Sequence, residues 1–250
     1  MNTAFRVEAL KLRRSPVGLI TTLALLLGTL GLMVGITAGV NAGHPEMIAQ
    51  AGAAAALDWT GLLAGSAQII AAAGFIGFGV VLAWIFGREF TDGTITGLFA
   101  LPISRSKIAM AKLAVYALWV LLVSLMLVLG LLGLGLVLGY GAPSSEIWIS
   151  LTRQGVLAVS TGALAVPVAW VAVITRSLLA AIGTVTGLVA IAQVGAIAGA
   201  GAWMPFAAPA LWAMSAAHEV TVTQVALAAL FTLAFVGLTG LSWSRLQLNR

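Results

Sequence analysis

The 250-residue sequence contains no cysteine, which excludes disulfides, thiolate metal sites and cysteine nucleophiles. Charge is also scarce. Asp, Glu, Lys and Arg make up 8% of the chain, where a soluble domain carries about a quarter. So little charge cannot cover a water-facing surface. Histidine occurs twice, at His44 and His218, far apart and outside any motif, which leaves no His-rich metal site. The pair His218–Glu219 is the one local arrangement that could hold a metal or a proton. The three lysines, Lys11, Lys107 and Lys112, follow Leu, Ser and Ala. No Gly-Lys pair exists, so the phosphate-cradling P-loop is absent and the chain is not expected to hydrolyse ATP by itself.

What is present is hydrophobicity: 61% of residues are apolar and the mean hydropathy is +1.12. The chain reads as an all-α integral membrane protein. Apolar runs cover 17–40, 62–86, 113–139, 154–174, 178–201 and 223–243, each near or above the ~20 residues that a bilayer requires. The fourth and fifth are separated only by Thr175, Arg176 and Ser177, which predicts a helical hairpin with a charged tight turn.

Basic residues fix the orientation. With the N-terminus inside, Arg6, Lys11, Arg13, Arg14, Arg88, Arg105, Lys107, Lys112, Arg176, Arg245 and Arg250 are all cytoplasmic, and of the twelve basic residues only Arg153 is not. Six spans with both termini cytoplasmic follow, as one transmembrane domain over 1–250. The net charge of +5 invites a nucleic-acid partner, but the cations cluster beside apolar spans. The expected partner is the lipid bilayer, not nucleic acid.

Residues 1–16 hold Phe5, Ala9 and Leu12 on one helical face, with Arg6, Glu8, Lys11, Arg13 and Arg14 around much of the rest. This predicts an interfacial helix, apolar side down and cations toward anionic headgroups. A signal peptide has a similar start, but the run after Pro16 is long enough to span, so an uncleaved first span is expected. Residues 202–222, with two prolines and Trp203 and Trp212, are too interrupted for a span and too apolar for a solvated loop. They read as a re-entrant or interfacial segment, or as an extension of the fifth span.

The span centres carry no ionisable residue; Gln68 and Gln193, with a few Ser and Thr, are their hydrogen-bonding side chains. A proton- or ion-coupled transporter normally places ionisable groups there. Gln68 and Gln193 are candidates for a substrate path, with bonding between helices as the alternative. Glycines 31, 35 and 39, 183 and 187, and 195 and 199 recur every four residues, which favours close helix packing. Pro167 predicts a kink in the fourth span.

The longest charged interruption is 87–112, GREFTDGTITGLFALPISRSKIAMAK. Gly93 permits a sharp turn and Thr94 can cap a new helix. Ile95, Leu98 and Phe99 form an apolar stripe at i, i+3 and i+4, Pro102 ends the helix, and Ser104 can cap the next. Such a helix, flanked by charges, suits a groove on a soluble partner, or its apolar face rests on the bilayer. Glu89 and Asp92 lie three apart and could serve a membrane hydrolase as paired carboxylates. Outside the hydrocarbon and beside Arg88, they suit a charged surface contact better. A single-chain membrane enzyme or assembly factor and an ion-coupled secondary transporter are the alternative readings.

This loop resembles the cytoplasmic loop of type-2 ABC transporter permeases, roughly E-x-x-x-G-T-h-x-x-L-x-x-P-x-x-R-x-x-h-h-x-x-K with h apolar. The matching positions are Glu89, Gly93, Thr94, Ile95, Leu98, Arg105 and Lys112, with Pro102 displaced by one residue. Glu8, Lys11, Leu12, Arg14 and Ser15 are similar to the family's N-terminal E-x-x-K-L-x-R-S. The resemblance implies a permease subunit of an ATP-driven exporter in the cell membrane. It implies two separate ATP-binding subunits, which would hold ATP and Mg, and a second permease, identical or related. It assigns coupling to Glu89, Phe90, Asp92, Gly93, Thr94, Ile95, Leu98 and Arg105. The helix bearing Phe5, Glu8, Lys11 and Arg14 becomes a lateral support.

Overall fold

A computed structural model describes residues 2–100, 102–197, 199, 201–214 and 220–247. Every regular element among them is helical. The N-terminal helix α1 (Asn2–Arg13) leads through Ser15 into α2 (Pro16–Asn41), where Pro16 occupies the first turn and the Ser15 hydroxyl accepts from Gly18 N–H. The short α3 (Pro45–Ala51) and a 3₁₀ turn at Gly52–Ala55 precede the second span. That span is α4 (Trp59–Ile69), a π-helical turn at Ile70–Gly74 and α5 (Phe75–Thr91). Asp58 caps α4 by accepting from Gly61 N–H.

The loop helix α6 (Ile95–Phe99) follows, then α7 (Arg105–Val137). Next come α8 (Ser145–Leu164), α9 (Pro167–Thr175) and α10 (Leu178–Ile197). A 3₁₀ turn at Gly201–Trp203, α11 (Ala208–Met214) and α12 (Val222–Ser244) complete the order.

Five helical stretches among the described residues are long and apolar enough to cross a membrane: α2, α4 through α5, α7, α8 through α9, and α12. The apolar part of α10, Leu178–Ala192, is shorter. The break between α8 and α9 falls at Pro167, whose nitrogen has no hydrogen to donate. The chain tightens there instead, with Val166 N–H on Ala163 C=O and Val168 N–H on Ala165 C=O. The Tyr116 hydroxyl donates to Gly162 C=O at 2.7 Å and ties α7 to the break. The turn from α9 to α10 is made by Arg176 in the left-handed region (φ 54°).

Close packing does not follow the four-residue glycine series. A Cβ at Gly31, Gly35, Gly183 or Gly187 would meet nothing within 4 Å, and Gly39 and Gly195 face the flexible ends of Met47 and Met204. Tight approaches fall at glycines outside that series: a Cβ at Gly87 on α5 would lie 3.1 Å from Leu178 Cα, one at Gly79 on α5 2.7 Å from Val185, one at Gly135 on α7 2.3 Å from Trp59, and one at Gly162 on α8 2.6 Å from Val120. Four-residue recurrence is frequent by chance in a glycine-rich sequence, whereas these glycines face a neighbouring helix.

The charged segments gather at one end of the bundle. Lys112 on α7 reaches Glu8 on α1, Arg105 donates to Leu246 C=O, and Arg176 donates to Gln247 C=O. The N-terminal helix, the loop, the α9–α10 turn and the last residues after α12 therefore meet. Facing α1, the structure departs from the expected interfacial pose: Phe5, Ala9 and Leu12 pack into the protein core, while Val7 and Leu10 are exposed.

Candidate functional site

At this end two lysines and two glutamates form a closed square. Lys112 Nζ lies 2.9 Å from Glu8 Oε2 and 2.9 Å from Glu89 Oε1. Lys11 Nζ lies 2.9 Å from Glu8 Oε1 and 2.8 Å from Glu89 Oε1. A third donor of Lys112 reaches Ile85 C=O at 3.0 Å, so all three ammonium hydrogens have acceptors. The second oxygen of Glu89 accepts from the Thr94 hydroxyl at 2.5 Å. Lys112, Glu8 and Glu89 are buried, and Lys11 is partly open to solvent.

Buried charges persist only when paired and hydrogen-bonded, and the square meets that condition with no net charge. It joins α1, the end of α5 and the start of α7, while Thr94 attaches the loop. Burial lowers the Lys11 pKa, but hydrogen bonds to Glu89 and Glu8 and their Coulomb attraction outweigh it, holding the ammonium above its ordinary 10.5.

An aromatic cluster backs the square. Trp243, fully buried at the end of α12, meets Phe86, Phe90 and Phe99 edge to face at 5.5, 6.0 and 5.9 Å. Lys112 Nζ stands 5.9 Å from the Trp243 ring. The Arg105 guanidinium lies 4.3 Å over Phe99. The last turn of α12 is thus packed against both α5 and the loop helix.

Several expectations are revised here. Glu89 is a buried hub, not a surface contact, because two lysines and a hydroxyl replace its water. Asp92 is exposed and bridges Arg88 at 3.3 Å, so it forms no carboxylate pair with Glu89. Gly93 does make the turn (φ 66°). Thr94 and Ser104 stand at the N-caps of α6 and α7 without side-chain cap bonds, since the Thr94 hydroxyl serves Glu89 instead. The stripe of Ile95, Leu98 and Phe99 packs against the protein's own core, not outward. Around α6 the outward surface of the loop is Thr91, Asp92, Gly93, Thr94, Thr96, Gly97 and Ala100.

The remaining candidates sit apart. Gln68 lines a cavity of about 260 Å³ with Phe75, Leu188 and Phe206, beside the π turn. The side chain of Gln193, on α10, lies outside the described residues, as do His218 and Glu219. Gln154, not expected to matter, is buried and donates to Leu63 C=O at 2.6 Å, joining α8 to α4. Trp212 packs on Ala202, Ala208 and Val220, and Trp203 is exposed.

Sequence reasoning missed Lys112 as a working residue, together with Trp243 and the π turn. Lys112 had a readable signal: a cation between Ala111 and Leu113, inside an apolar run, needs a partner. Trp243 and the π turn had none, because each depends on which helices become neighbours.

Residues 4–199 match the ABC-2 family transporter protein family, a stretch that holds Glu8, Lys11, Glu89, Thr94 and Lys112. No curated protein matches the chain. The match extends from α1 through α10 and includes the whole charged square, and the chain belongs to the ABC-2 transporter family, as a multi-pass permease subunit of an ABC transporter.

Proposed function

We propose that this permease works in an exporter of the cell membrane, with both termini and the 87–112 loop in the cytoplasm. Two copies, or one copy and a related permease, enclose the pathway, and two separate ATPase subunits carry ATP and Mg. The orientation rests on the basic residues, eleven of twelve of which fall in cytoplasmic segments under it.

The observation that carries the coupling assignment is the hydrogen bond from Thr94 to Glu89, whose other oxygen holds both Lys11 and Lys112. An ATPase closing on the polar outer surface of Thr91–Gly97 would press on a loop that is fixed to three helices at once. The force then reaches α1, α5 and α7 together as a rigid unit. Phe90, Ile95 and Leu98 join the loop to the core, and Arg105 joins it to the end of α12. Phe5, Glu8 and Lys11 brace α1 against α7 and α5; Arg14 stands just past the end of α1.

The substrate path has Gln68 and Gln193 as its polar candidates, in helices whose other polar side chains are mainly Ser and Thr. That suits an apolar cargo such as a lipid, a hydrophobic peptide or a drug-like molecule.

The test is affinity purification of the tagged chain from native membranes in mild detergent, with an ATPase assay on what co-purifies. Recovery of a P-loop ATPase with the wild type, and its loss with Thr96→Trp/Gly97→Trp at an unchanged melting temperature, is the expected result. A folded chain that comes down alone from native membranes would overturn the reading.

A further inference from the structure

Beside the square a separate groove of about 540 Å³ opens between the end of α1, the start of α2 and the end of α5. Its lip carries three cations, Lys11, Arg14 and Arg88, against one carboxylate, Asp92. Lys11 is committed to Glu8 and Glu89 yet remains 28% exposed. Arg88 is held loosely, 3.3 Å from Asp92, with its guanidinium 4.5 Å over the Trp84 ring. Arg14 is exposed and has no side-chain ion pair among the described residues.

The groove also has an apolar lining, Val7, Leu10 and Trp84, of which Val7 and Leu10 are each 47% exposed. Trp84 lies one helical turn, about 6 Å, before Arg88 along α5. Pro16, where the first span begins, completes the rim. Cations and an apolar, tryptophan-bearing surface, set at the start of one apolar span and the end of another, are the two halves of an amphiphile's binding site.

We infer that this groove binds the headgroup of an anionic phospholipid, with the phosphodiester against Arg14, Arg88 and Lys11 and the upper acyl chain along Val7, Leu10 and Trp84. A free phosphate shares the charge but has no use for the apolar lining. Asp92 competes with the lipid for Arg88. The bound lipid would fasten α1 to α5 from the bilayer side, next to the contacts that Glu8 and Lys11 make from the protein side.

The experiment follows thermal melting of the purified full chain in detergent as lipid is added, with native mass spectrometry to count bound lipid. The probes are dioleoylphosphatidylglycerol, dioleoylphosphatidylcholine and inorganic phosphate. Wild type is expected to retain phosphatidylglycerol at least tenfold more tightly than phosphatidylcholine. Arg14→Gln/Arg88→Gln removes that preference, Asp92→Asn strengthens it, and Arg6→Gln/Lys107→Gln, which deletes as much charge elsewhere, preserves it. If the double variant melts early in phosphatidylcholine, Arg14→Gln alone, at an exposed and unpaired side chain, provides the comparison. Equal losses in the two charge-matched pairs would reduce the effect to general attraction and overturn the site. Stabilisation by inorganic phosphate equal to that by phosphatidylglycerol would overturn the lipid as its source.

Discussion

Lys112 Nζ lies 2.9 Å from Glu89 Oε1 across the gap between α7 and α5, and neither side chain is accessible to solvent. Removing one partner leaves the other with a single remaining ion-pair partner and the square with one excess buried charge, a loss of about 3–5 kcal/mol. Lys112→Met and Glu89→Gln are therefore expected to lower the melting temperature in detergent sharply. The double variant Lys112→Met/Glu89→Gln still leaves Glu8 facing Lys11 and should recover part of the loss. A double-mutant cycle on thermal unfolding measures this; additive losses would show that the two groups do not act together.

Thr94→Val separates coupling from folding. It deletes one hydrogen bond to an ionised group, worth about 1.5–3 kcal/mol, and leaves no charge unpaired, since Glu89 keeps both lysines. The chain should fold and retain its ATPase partner, while transport in reconstituted vesicles falls relative to ATP hydrolysis. An unchanged ratio of transport to hydrolysis would remove Thr94 from the coupling path.

Alkaline pH probes the open corner of the square. The Lys11 pKa is raised in the folded protein above the ordinary 10.5, so its stabilisation is complete below that ordinary value and is lost as pH rises through the folded value. Wild type should lose melting temperature above pH 10.5 more steeply than Lys11→Met. Asp58 gives the opposite sign. Its pKa is lowered from 3.8, first by the Gly61 backbone N–H, so its contribution is present above that value and lost as pH falls through the folded value. Asp58→Ala should cost about 1 kcal/mol at neutral pH and flatten the acid limb of the melting profile.

Glycine substitutions test the packing map. Gly87→Val and Gly79→Leu insert side chains where α5 meets Leu178 and Val185, and overpacking of this kind costs about 1–3 kcal/mol. Gly31→Ala enters open space and should leave the single chain as stable or more so. A melting temperature lowered by Gly31→Ala and untouched by Gly87→Val would invert this map.

Five of the membrane spans could be read from hydropathy because each is a long run of one chemistry, while the run expected over 178–201 forms a shorter apolar helix, Leu178–Ala192. The turn at Gly93, the break at Pro167 and the tight turn at Arg176 could be read because proline, glycine and charge act locally. Glu89 and Lys112 were visible as residues but not as partners, since they stand 23 positions apart with a loop between them. Glu8 is 104 positions from Lys112, a separation that only the docking of α1 on α7 closes. The same docking turns one face of α1 inward, and Trp243 of α12 receives Phe99 of α6: an apolar stripe reads alike whether it meets lipid, a partner or its own bundle. The π turn at Ile70–Gly74 has no proline to announce it and belongs to the fit of α4 and α5 against α8.

The square also has an electrical property. Two ammonium and two carboxylate groups sum to zero, so any displacement of the whole square along the membrane normal would carry no net charge through the field. A lone buried lysine would feel about 2.3 kcal/mol for each 100 mV it crossed. A neutral quartet would leave such a displacement indifferent to the membrane voltage.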